Sequence, residues 1–177
     1  VSDPEALAEI GAVASGAARA RVDRRLLLDG AGSPPAKRRL DALGVERSLA
    51  LFPNATARVE WTEALLAAHD NARADAVAAA LLGRLPKSSP GRCRLLYVRG
   101  RAARKMRRYR QALNRLPRAM ASCLELAEQS PEHRALGRDR AARAGLLEAR
   151  VLGIKGRARA LDRLVDTMAE TFPGHSY

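Results

Sequence analysis

The sequence predicts an all-α fold of stacked antiparallel helical hairpins, an α-solenoid, in a single domain over residues 1–177. Three observations carry that expectation. Apolar residues make up 47% of the chain but aromatics only 3%, so the core must be built of Ala and Leu between closely approaching helices. No stretch alternates apolar and polar residues over enough positions to make a sheet. Prolines recur at Phe52-Pro53, Leu85-Pro86 and Phe172-Pro173, each after the second helix of a pair. A lone pair cannot bury its apolar face, so such pairs stack.

Residues 1–53 form the less regular part. Asp3-Pro4-Glu5 reads as a helix start, with Pro in the first turn and acids at the positive helix end. One helix is expected to run from there through Leu7, Ile10 and Val13 towards Leu28, weakened by Gly11 and Gly16. The loop Gly30-Ala31-Gly32-Ser33-Pro34-Pro35 follows. Residues 36–51 make a second helical segment with a break at Gly44.

Residues 54–177 carry the regular repeats. Asn54 or Thr56 caps a helix bearing Val59 and Leu66, and Asp70-Asn71 is a turn. The return helix runs from Ala72 to Leu85. A helix from Arg92 to Met106 turns at Arg107-Arg108 into a helix from Tyr109 to Ala127, which Pro117 should kink. After Ser130-Pro131 the pattern gives a helix from Glu132 to Leu152, an end at Gly153 and Gly156, and a last helix from Arg157 to Thr171.

Across the Arg92–Met106 and Tyr109–Ala127 helices, Leu96, Gly100, Tyr109, Ala112, Leu116 and Ala119 fall at the offsets of the tetratricopeptide pattern. Gly100 is the small residue at which two helices touch. Ala112, Leu116, Ala119 and Cys123 keep one side of a helix. Cys93 and Cys123 both lie about 15 residues from the turn, hence at one level of an antiparallel pair and in its seam. They either form a disulfide, which needs Cα atoms within about 7 Å and an oxidising compartment, or pack as small apolar thiols. Two cysteines alone do not complete the usual four ligands of zinc.

The formal net charge is +13. Such a chain is drawn to polyanions, although Arg on solvated helix faces also carries charge without any ligand. Between Arg92 and Arg118 there is no acid at all. Arg101, Arg104, Lys105 and Arg108, at i, i+3, i+4 and i+7, are expected to form one stripe able to bind a polyanion by charge. Aromatic interleaving is sparse, which argues against nucleic acid as the partner.

No catalytic constellation emerges. His69, His133 and His175 stand near helix ends without a ligand-spaced partner. Gly153-x-x-Gly156 lacks the Lys-Ser/Thr of a phosphate loop, and no Gly-x-Ser-x-Gly occurs. No cofactor or metal is expected, and no apolar run approaches the ~20 residues of a membrane span. Val1-Ser2-Asp3-Pro4 has neither the basic start nor the apolar core of a signal peptide, and a chain opening on Val is expected to continue upstream.

The run Leu95-Leu-Tyr-Val-Arg-Gly-Arg-Ala-Ala-Arg-Lys-Met-Arg-Arg-Tyr-Arg-Gln-Ala-Leu113, with Leu51-Phe-Pro53 and the closing Phe172-Pro-Gly-His-Ser-Tyr177, resembles the tetratricopeptide-like superhelical region of soluble lytic murein transglycosylases. The resemblance covers roughly residues 48–177. It implies a periplasmic parent enzyme that cleaves peptidoglycan between its sugars with one Glu as acid and base. The Glu-Ser motif that carries that Glu has no counterpart here, so no residue takes a catalytic role. The chain is then the non-catalytic scaffold, organising or binding cell-wall substrate or partners. The alternative is a stand-alone, cytoplasmic or periplasmic, tetratricopeptide-like adaptor for a protein or peptide. The closing Phe-Pro-Gly-His-Ser-Tyr reads as the lead into a further pair.

Overall fold

A computed structural model describes residues 3–173, and these are all-helical. The helices are α1 (Pro4–Val13), α2 (Gly16–Asp29), α3 (Pro34–Ala50), α4 (Ala55–Ala67), α5 (Asn71–Leu82), α6 (Pro90–Lys105), α7 (Tyr109–Gln129), α8 (Arg134–Ile154) and α9 (Ala158–Thr171). The chain forms two compact units, Val1–Val77 and Ala78–Tyr177, and the division falls inside α5.

In the first unit the expected single helix to Leu28 is two. The Asp3 side chain accepts from the Glu5 amide and starts α1, and Pro4 occupies the first turn. Ala14 and Ser15 are extended, and Gly16 has φ +55°. Gly11 and Gly16 therefore do more than weaken a helix. Gly16 takes a left-handed conformation that L side chains rarely adopt, and the chain turns there. α3 is kinked where expected, at Gly44, with φ +73°. Asn54, rather than Thr56, caps α4 by accepting from the Ala57 amide.

Leu26, Leu27, Leu40, Leu49, Phe52, Val59 and Leu65 are buried in this unit, and Trp61 is wholly inaccessible. The Phe52 and Trp61 rings stack with centroids 4.8 Å apart. Two ion pairs tie elements distant in sequence. Arg39 of α3 grips Asp23 of α2 with both Nε and Nη2. Arg73 at the start of α5 donates to both Asp41 and Asp70. Those two carboxylates raise the Arg73 pKa, the hydrogen bond to Asp41 first.

The second unit packs α6 on α7, α7 on α8, α6 on α8 and α8 on α9. Ser89 caps α6 by accepting from the Arg92 amide, and Pro90 is its first residue. Glycines set the closeness of the packing. A Cβ on Gly100 would lie 2.6 Å from Leu116 Cδ2, one on Gly137 2.5 Å from the Cys123 carbonyl oxygen, and one on Gly145 2.6 Å from Met168 Sδ. Cys93 meets Cys123 and Gly100 meets Leu116, Gly137 meets Cys123 and Gly145 meets Met120, and Gly145 meets Met168 and Arg138 meets Thr171, so α6 and α7, α7 and α8, and α8 and α9 are antiparallel, and α6 and α8 lie parallel. One core joins Tyr97, Ala103, Ala112, Leu116 and Ala119 to Ala144, Leu147 and Val151. A second joins Cys93, Cys123 and Leu126 to Ala141, Met168 and Phe172. α7 continues through Pro117 to Gln129 as one helix.

Candidate functional site

The side chains singled out by sequence separate into a buried pair and an exposed groove. Cys93 and Cys123 are joined by a disulfide, with Cα atoms 4.9 Å apart and both residues wholly buried. The register follows from the turn. α6 ends at Lys105, Arg107 takes φ +58°, and Tyr109 starts α7, which brings residues about equally far from the turn to one level. The bond lies in the core and touches no groove.

The basic stripe is not as expected. Arg101, Arg104 and Lys105 share a wall of one groove, but Arg108 does not join them. An i, i+7 stripe needs a continuous helix. α6 has already stopped at Lys105, and Arg108 stands at the entrance to α7, pointing its chain in a new direction. The missing charges come from elsewhere: Arg143 and Arg150 of α8, seven residues and hence two turns apart, form the opposite wall. They lie about 40 residues downstream of the α6 stripe. Nothing in the local spacing of α6 could have pointed to them.

The groove has a volume of about 340 Å³. Tyr97, Leu146 and Leu147 supply its apolar surface. Its five cations face no carboxylate on either wall. Arg143 is partly spent on Asp139, one helical turn away at 2.9 Å. The Arg104 Nε is buried and has no hydrogen-bond partner among the described residues, a donor that costs free energy until an acceptor reaches it. The Tyr97 ring is buried and covered by the Arg140 guanidinium at 5.2 Å from its centroid. It is therefore closed to base stacking. Tyr109, the other nearby aromatic, lies under the Lys155 ammonium at 5.1 Å.

Charge is divided unevenly between the units. Residues 78–177 hold 22 of the 32 Lys and Arg but 8 of the 19 Asp and Glu, a net +14, which leaves the first unit at −1. The field that would attract an anion belongs to the unit with the groove.

Among the described residues Glu148 of α8 is the one carboxyl whose pKa is pushed up, to about 7, by burial. Its Oε2 has no hydrogen-bond partner among those residues. It stands outside the groove lining, so it is not a groove residue. His69 closes α4 with φ +61° and His133 lies in the 3-10 turn Pro131–His133; His175 is outside the described residues. Among the described residues no group of three or more His, Cys, Asp or Glu could hold a metal ion, and no helix is long and apolar enough to cross a membrane.

No family model, curated protein or solved structure matches this chain.

Proposed function

We propose that this chain is a non-catalytic helical scaffold that holds an anionic partner in the groove between α6 and α8. The observation that carries the reading is the acid-free groove with Arg101, Arg104 and Lys105 on one wall and Arg143 and Arg150 on the other. Guanidinium forks suit carboxylate geometry. The antiparallel pairs α6/α7 and α8/α9, close-packed at Gly100 and Gly145, fit a short tetratricopeptide-like stack with its first helices side by side.

The resemblance to the superhelical region of lytic murein transglycosylases makes the partner peptidoglycan, whose peptide carboxylates supply the negative charge, and the compartment the periplasm. A disulfide at Cys93–Cys123 agrees with an oxidising compartment. The test is co-sedimentation with insoluble peptidoglycan at moderate salt. The chain should pellet with the wall, and Arg101→Glu/Arg150→Glu should stay in the supernatant. Equal pelleting of both would overturn the reading.

A second reading, an adaptor for an acidic peptide, is favoured by Leu146 and Leu147 in the groove, which offer an apolar seat between the charges. Fluorescence anisotropy with a labelled peptide of alternating Glu and Leu separates it from the first.

A further inference from the structure

The first unit contains a second, separate cavity, of about 230 Å³, among α1, α2 and α3. Its apolar wall is Leu7, Ala8, Leu26, Pro35 and Ala42. Its charged wall is three guanidiniums, Arg19, Arg38 and Arg39, and one carboxylate, Asp23. The groove of the second unit plays no part in it.

The charged wall is built and incompletely used. The Asp23 side chain is only 6% exposed. Arg39 Nε donates to it at 2.8 Å and Nη2 donates to its other oxygen. Arg19 stands 3.5 Å from the same carboxylate, too far for a strong hydrogen bond, and its Nε is buried with no hydrogen-bond partner among the described residues. Arg38 makes no ion pair with any described residue. One carboxylate thus faces three guanidiniums: it is hydrogen-bonded by Arg39 and within ion-pair range of Arg19, and Arg19 and Arg38 retain donors without a hydrogen-bond partner among the described residues.

From this geometry we propose that the α1–α3 cavity binds a small amphiphilic monocarboxylate. Arg19 and Arg38 take the carboxylate, and a compact apolar body lies against Leu7, Leu26 and Pro35. A bare inorganic anion would leave the apolar wall uncovered. A dianion would meet the fixed negative charge of Asp23 at close range. Size agrees, since an apolar cavity of about 150 Å³ holds a benzene ring and this one has room for a carboxylate besides. Gly11 belongs to the same wall. A Cβ there would lie 3.3 Å from Val22 Cγ1, 3.9 Å from Asp23 Oδ1 and 4.0 Å from Arg19 Nε, so a larger side chain would press on the ion cluster.

The test is titration of the whole chain with sodium benzoate, followed by NMR chemical shifts, with benzyl alcohol and inorganic phosphate as comparators. A ligand of this size in such a site binds with a Kd of about 1–10 mM. Saturable shifts at α1–α3 resonances are expected with benzoate, and at least about tenfold weaker ones with either comparator. Arg38→Ala, an exposed residue, and Ala8→Phe, which plugs the cavity, should each weaken benzoate about tenfold or more at unchanged helix content. If Ala8→Phe unfolds, Ala42→Leu on the facing wall makes the same test. Absence of saturation, equal binding of phosphate, or retention of binding in folded Ala8→Phe or Ala42→Leu would overturn the proposal.

Discussion

Cys93 and Cys123 are bonded across the seam of α6 and α7 with Cα atoms 4.9 Å apart and a sequence separation of 30. A loop of that length, closed in the unfolded chain, is worth about 3–4 kcal/mol in the chain-entropy account. Cys93→Ala/Cys123→Ala should lower the unfolding free energy by about that amount, measured by urea melts without reductant. Both residues are wholly buried, so a thiol reductant should act slowly on the folded chain and quickly in denaturant. A native free-thiol count of two would contradict the bond.

Three glycines of α8 and its neighbour predict opposite signs for one substitution. Gly137→Ala would drive its Cβ to 2.5 Å from a backbone carbonyl oxygen, which cannot yield, and should destabilise by about 2–3 kcal/mol. Gly100→Ala meets the Leu116 side chain at 2.6 Å, which can partly shift, and should cost about 1–2 kcal/mol. Gly153→Ala meets nothing within 4 Å inside a helix and should stabilise by about 0.5–1 kcal/mol. Thermal denaturation of the three variants checks the order.

Glu148 ties stability to pH. Its pKa is about 7 in the folded chain against 4.5 for an ordinary Glu. The folded state therefore holds a proton that the unfolded state releases, and this contribution is full below about 4.5 and lost as pH rises through about 7. With the carboxyl still partly reached by solvent, the loss should be about 1–2 kcal/mol. Glu148→Gln should flatten that part of the stability–pH curve and raise the melting temperature at pH 8. An unchanged curve would count against the buried carboxyl.

The groove makes a residue-by-residue prediction that the linear spacing does not. Arg104→Ala removes a donor at the groove wall and should weaken an acidic peptide about tenfold. Arg108→Ala, four residues on in the chain but outside the groove, should change the affinity less than about twofold. Anisotropy at two salt concentrations measures both, and equal loss in the two variants would move the site off the α6–α8 groove.

Helix content was legible from the sequence because its causes are local. Asp3 and Asn54 cap helices through their own side chains. Gly44 kinks α3 at a positive φ that the missing Cβ permits. The division at Ala14–Ser15 is not legible in propensity, which makes Gly11 and Gly16 only weak helix formers, whereas Gly16 takes a left-handed turn. The Asp23–Arg39 pair and the cavity beside it were also out of reach, since their partners are 16 residues apart and meet only after α2 and α3 have packed.

By itself, then, the sequence determined helices, a basic surplus and a cysteine pair symmetric about one turn, all set by propensity, periodicity and counting. Tertiary structure alone decided which charges share a groove. Arg108 left the stripe because α6 stops at Lys105, and Arg143 and Arg150 entered because α8 lies alongside α6. A helical period orders side chains within one helix and holds only while that helix lasts. Neighbourhood between helices is set by close contact at Gly100, Gly137 and Gly145, and that contact exists only in the packed chain.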